Sequence, residues 1–141
     1  MTIVQWLLLP AFIHAGWIYL VAVRMGSAKR GAVRAGRVKL FDVAVDNSRW
    51  PDDVRKITNN YNNQFELPVL FYAILPLLIL LVKVDWLQVA LAWAFLASRI
   101  LHSVIHMGSN VILRRGSAFL VGFAAVGLMW VWFGLRLYVI G

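Results

Sequence analysis

The chain has 141 residues, 62% of them hydrophobic and 14% charged, with a net charge of +8 and no cysteine. A soluble domain of this size sits nearer half apolar, so the composition excludes a water-soluble core, and the lack of cysteine excludes disulfides and thiolate metal sites. The positive charge is clustered, with nine of the fourteen basic residues between Arg24 and Lys56, and this argues against nucleic acid as a partner.

Met1–Val23 carries no Asp, Glu, Lys or Arg, and neither do Leu67–Val82, Trp86–Ser98 and Gly116–Leu135. A bilayer core takes about 20 mostly apolar residues per helix. The sequence therefore predicts one all-α domain, an integral membrane four-helix bundle with spans at about 3–23, 62–82, 86–106 and 117–140. The first span has no basic leader or small-residue cleavage site and reads as a retained helix. Within it, His14 reads as a hydrogen-bonded packing residue. Arg24–Trp50, with Gly26, Gly31 and Gly36 among its bases, reads as a loop with a short interfacial turn lying on anionic headgroups.

Asn47 or Ser48 is placed to cap a new helix, with Pro51 near its first position and Asp52 and Asp53 in its first turn. That helix is expected to run through the asparagines into span two and to bend at Pro68 and Pro76. The connection Lys83-Val84-Asp85 is so short that spans two and three must be antiparallel neighbours. Gly108-Ser109-Asn110 ends span three, Gly122 and Gly127 read as close-packing positions of span four, and Arg136 is expected to snorkel outward. The excess of Lys and Arg in the first and third connections puts those connections in the cytoplasm and both termini outside it.

Polar residues gather at that cytoplasmic end. Asn59, Asn63 and Glu66 share one helical face by their spacing, and so do Arg99, His102 and His106 in span three. At a helical rise of about 1.5 Å per residue, Glu66 and Arg99 lie at similar depth and are able to pair. Arg114 and Arg115 open span four on the same side. Ionisable groups inside a bilayer are costly and usually face an interior or a wet cavity, so these residues predict a polar pocket beneath the cytoplasmic surface. A purely structural Glu66–Arg99 pair fixing helix register is the alternative. His102 and His106 also have the spacing of a two-histidine metal face, but a metal needs further ligands and Arg99 opposes a dication, so no metal site is assigned.

Asn63-x-x-Glu66 followed by Pro68, the basic first connection and Arg99-x-x-His102-x-x-x-His106 resemble the MAPEG family, the membrane-associated proteins of eicosanoid and glutathione metabolism, in a bacterial-type member. The resemblance implies a homotrimer that binds glutathione as co-substrate between subunits, acting as a transferase or peroxidase on lipophilic electrophiles drawn from membrane lipid. It implies glutathione-binding roles for Asn63, Glu66 and Arg99, with Asn59, His102 and His106 in the same site. It gives either Arg114 or Arg115 the task of stabilising the thiolate. Two positions depart from the family pattern: Asn59 stands where glutathione-binding members usually have arginine, and His102 and His106 replace tyrosines. A non-catalytic lipid-binding or scaffold protein of the same family is the competing reading. Short termini suit a bacterial inner membrane.

Overall fold

The computed structural model describes residues 1–140. Four helices in it are long and apolar enough to cross a membrane, and no strand occurs among the described residues. The chain is all-α and an integral membrane protein. The main elements are α1 (Ile3–Arg34), α2 (Leu40–Val43), α3 (Asp52–Asn62), α4 (Pro68–Leu80), α5 (Trp86–Met107) and α6 (Ile112–Tyr138).

Helix α1 begins with a capping box in which Thr2 and Gln5 satisfy each other's backbone amides. It does not end at Val23 as the sequence reading expects, but continues to Arg34. Arg and Lys are good helix formers, and Gly26 and Gly31 each cost only about 1 kcal/mol. At about 1.5 Å per residue the helix is roughly 48 Å long, against about 30 Å of hydrocarbon. Its basic turns therefore stand as a helix beyond the membrane rather than as a loop. There Ala32 packs with Val43, Trp50 and Val54 in a small second core, and Lys29 Nζ lies 5.1 Å from the Trp50 ring centre. Asp46 caps the next turn, a 3-10 turn at Asn47–Arg49, while α3 starts behind Pro51 with no side-chain cap, so neither Asn47 nor Ser48 caps it as the sequence reading expects. The hydroxyl and the amide of Ser48 both donate to Asp46 and hold its carboxyl below the usual carboxylate range.

The helix expected to run unbroken into span two is interrupted. Helix α3 stops at Asn62, a 3-10 turn occupies Asn63–Phe65, and Glu66 takes a non-helical ψ of −93° before α4 opens at Pro68. Pro68 has no N–H to return to the Gln64 carbonyl, so the ladder must lapse there. Helix α4 closes in a Schellman motif, with Lys83 N bonded to Leu78 O at 2.8 Å and Val82 N to Ile79 O at 3.2 Å. Val82 fills the left-handed position of that motif, at φ 52°.

The main core joins α1, α4, α5 and α6 through Leu7, Phe71, Ile74, Leu78, Phe95 and Met129. The Phe71 and Phe95 rings stack with centroids 4.3 Å apart. Gly122 lets α6 close on α5, since a Cβ there would overlap Ser98 Oγ, whereas a Cβ on Gly127 would meet nothing within 4 Å. Only the first of the two glycines is therefore a packing position within the chain. Arg136 does not snorkel freely: its Nη1 donates to Asp85 Oδ2 at 2.9 Å, beside a 2.7 Å bond from Trp132 Nε1 to the same oxygen.

Candidate functional site

The break at Glu66 has a consequence for α5. A regular helix would give the Asn63 carbonyl to the Leu67 amide; here Arg99 Nη2 takes it at 2.7 Å. Arg99 is fully buried, with its Cζ 6.0 Å from the centre of the Phe119 ring. The ion pair expected with Glu66 does not form. The ion pairs among the described residues are Arg37–Asp53, Arg49–Asp46, Arg55–Asp52 and Arg136–Asp85. Glu66 is exposed at the rim of the cavity beside it.

A cavity of about 490 Å³ opens at this end of the bundle, lined from α3 and the turn by Asn59, Asn62, Asn63 and Glu66. His102 and His106 of α5 and Arg115, Gly116 and Phe119 of α6 complete it. A second cavity of about 290 Å³ shares Asn59, His106 and Arg115 with the first and adds Asp52, Arg55, Lys56 and Asn110. Of the two arginines that open α6, Arg115 borders both cavities, while Arg114 borders neither and is exposed. Successive residues on a helix point about 100° apart, so only one of the pair can face inward. Arg115 is steadied by a 2.7 Å bond from Nη1 to Asn110 Oδ1.

The α5 face is almost wholly withdrawn from solvent, with His102 and His106 each 4% exposed. His102 Nδ1 lies 3.0 Å from the Arg115 carbonyl. The rings of His102 and His106 stand edge to face, 5.6 Å apart. Four buried nitrogens of this face have no hydrogen-bond partner: Arg99 Nε and Nη1, His102 Nε2 and His106 Nδ1. Leaving such groups unmet costs about 1–3 kcal/mol each. Arg99 borders neither cavity, contrary to the expected binding role; for His102 and His106, which line the first, a polar ligand is the natural remedy, and pockets of this size commonly combine apolar walls with a few such groups.

Behind the cavity runs a second polar cluster that the sequence reading missed, apart from His14. The His14 ring bridges Tyr72 Oη at 3.0 Å and Gln64 Oε1 at 3.2 Å. Gln64 Nε2 donates to the Asn60 carbonyl at 3.0 Å, Asn60 Nδ2 to Ser103 Oγ at 2.7 Å, and Trp17 Nε1 to the same hydroxyl at 2.9 Å. The available signal was the second amide pair, Asn60 and Gln64, offset by one residue from Asn59 and Asn63. Asn62, Gly116 and Phe119 were likewise not singled out as cavity residues.

Curated proteins and solved structures gave no match to the chain. The model of the MAPEG family matches residues 7–135, a stretch that takes in most of each of the four apolar helices and every residue bordering the two polar cavities. The chain belongs to the MAPEG family, the membrane proteins of eicosanoid and glutathione metabolism.

Proposed function

We propose that the protein is a membrane-bound glutathione-dependent transferase or peroxidase acting on lipophilic electrophiles, assembled as a homotrimer. The observation that carries this reading is the set of groups around one cavity: a carboxylate, three asparagines, two imidazoles and a guanidinium. Glutathione presents an ammonium, two carboxylates, two amides and a thiol. Glu66 suits the ammonium and the asparagines suit the amides. Arg115 suits the sulfur, because a fixed guanidinium favours the thiolate over the thiol. The unpartnered nitrogens of His102 and His106, both of which line the cavity, support a ligand of this polarity. The protein's share of the chemistry is then positioning and electrostatic stabilisation. Following the charge of its connections, the cavity faces the cytoplasm of a bacterial cell, with both termini outside.

Titration calorimetry of the purified protein in lipid nanodiscs tests this. Glutathione is expected to bind at millimolar concentration or tighter, and Glu66→Gln to weaken binding at least tenfold by removing the partner of the ammonium. No heat from the wild-type protein in several lipids would remove the reading.

A second reading, a non-catalytic lipid-binding or scaffold protein, has its own supporting observation. A groove of about 380 Å³ between α4 and α6 is lined by Leu67, Leu70, Phe123, Val126, Gly127 and Trp130, with almost no polar surface. It suits an acyl chain. Lipid that co-purifies in stoichiometric amount, together with a silent glutathione titration, would favour it.

A further inference from the structure

We propose that His102 is the general base of this site, taking the proton from the thiol of the co-substrate; the proposal rests on the glutathione reading above. His102 Nδ1 lies 3.0 Å from the Arg115 carbonyl oxygen, and a carbonyl can only accept, so Nδ1 carries the hydrogen. In the neutral ring the lone pair is then on Nε2. That nitrogen is buried and has no partner in the protein, while the ring itself borders the cavity. An imidazole with one nitrogen tied to an acceptor and the other left free is the arrangement in which a histidine serves as a base, because the tie fixes both tautomer and orientation.

The neighbouring groups do not compete for this role. On α5 these are Arg99 and His106; α6 contributes Arg115 and Phe119; α3 and the turn contribute Lys56, Asn59, Asn63 and Glu66. Guanidinium groups do not give up a proton in proteins. An exposed carboxylate is a far weaker base than imidazole, and general-base catalysis favours the group whose pKa is nearest the working pH. His106 is the other imidazole, but no hydrogen bond fixes its tautomer among the described residues, and it is its Nδ1 that is buried and unmet. Arg115 acquires two roles from one residue: its carbonyl orients the base and its side chain borders the cavity.

The S–H bond breaks and the proton joins His102 Nε2, giving a ring with hydrogens on both nitrogens. The Arg115 carbonyl still accepts from Nδ1. The sulfur electron pair forms a bond to carbon of the electrophile, and His102 then gives the proton to the departing anion, or to the oxygen freed when an epoxide opens.

The test uses His102→Asn in the full-length protein in nanodiscs. The asparagine amide can still donate to the Arg115 carbonyl but offers no lone-pair nitrogen. Calorimetry should still show glutathione binding, so that turnover can be compared at saturating co-substrate. The ultraviolet absorbance of bound thiolate should be lost, and turnover should fall by about 10²–10⁴, the usual share of a general base. The acid limb of the wild-type kcat/KM profile should disappear with it. Turnover within tenfold of wild type, with thiolate absorbance retained, would overturn the proposal while leaving the glutathione reading intact. If the variant does not fold, the wild type decides in weakly buffered solution. Thiolate absorbance that grows without proton release supports a base within the site, and one proton released per thiolate overturns it. Wild-type protein that binds no glutathione removes the underlying reading and this proposal together.

Discussion

Replacing Arg99 by methionine should stabilise the ligand-free protein and weaken its hold on an anionic ligand. Arg99 is 0% exposed and makes one hydrogen bond, from Nη2 to the Asn63 carbonyl at 2.7 Å, with Nε and Nη1 unmet. Loss of that charge-assisted bond costs about 1.5–3 kcal/mol. Against this, a buried ion carries a desolvation penalty of several kcal/mol, and apolar replacement of buried charges is often neutral or stabilising by about 1–4 kcal/mol. Methionine is close to arginine in length and fills the same channel with little void. The net expectation is a gain of about 1–2 kcal/mol. Thermal unfolding in detergent, read by the fraction remaining monodisperse, measures it with and without glutathione. At a hundred times its Kd the ligand should stabilise wild type by about 2.7 kcal/mol, and Arg99→Met should need at least tenfold more ligand for the same effect. A variant less stable than wild type by more than about 1 kcal/mol without ligand would show that the fold satisfies the guanidinium by itself, and unchanged glutathione affinity would show that no ligand uses its free donors.

Arg115→Ala should lower the rate of thiol conjugation by about 10²-fold or more, the order found on removing one electrostatic stabiliser, whereas Arg114→Ala should change it less than about twofold because that side chain borders neither cavity; steady-state kinetics with a soluble electrophile distinguishes them. At the opposite end of the bundle, Asp85→Ala removes the cap of α5 and leaves Arg136 and Trp132 without an acceptor. The cost should be about 2–4 kcal/mol in a denaturant titration, and Asp85→Asn, which still caps, should lose at least 1 kcal/mol less. Val82→Gly should raise stability by about 1 kcal/mol, since Val82 sits at φ 52° with 85% of its surface exposed and a β-branched side chain disfavours that conformation; an unchanged melting curve would count against it.

The apolar spans were legible because a bilayer imposes length and composition on any helix that crosses it, and both can be read from a single chain. The extension of α1 to Arg34 was not. Gly26 and Gly31 suggested a loop, but a Cβ at either would meet nothing within 4 Å, so they sit on an open helical face where nothing but propensity opposes them. The kink at Glu66 was half legible. Pro68 marked a disturbance, but the partner that takes up the Asn63 carbonyl, Arg99, lies 36 positions away in sequence. The same limit hid the partnership of Asp85 with Arg136, 51 positions apart. The side of the helix on which a cation falls was legible to within one residue, which is why Arg114 and Arg115 could be placed at the site together but not separated without coordinates.

The stretch from Asn59 to Glu66 serves two polar clusters, and their difference separates structure from function. Asn60 and Gln64 turn inward, where each hydrogen bond they offer meets a partner through His14, Ser103, Tyr72 and Trp17. A buried polar network met in this way fixes the register of α1, α3, α4 and α5 and requires nothing further. Asn59, Asn62, Asn63 and Glu66 turn the other way, toward a face where four buried nitrogens remain unmet. One further unmet atom, Gln88 Oε1, belongs to an amide whose nitrogen holds the Met129 carbonyl at 3.1 Å, far along α5 from the cavity. Were the cavity groups there only to hold helices in place, the burial that withdraws them from solvent should have matched them with one another, as it does one residue away. Because Glu66 and Arg99 form no ion pair, the charges of the site stay unpaired within the protein, and on the proposed reading a molecule of complementary charge would recover the stability forgone.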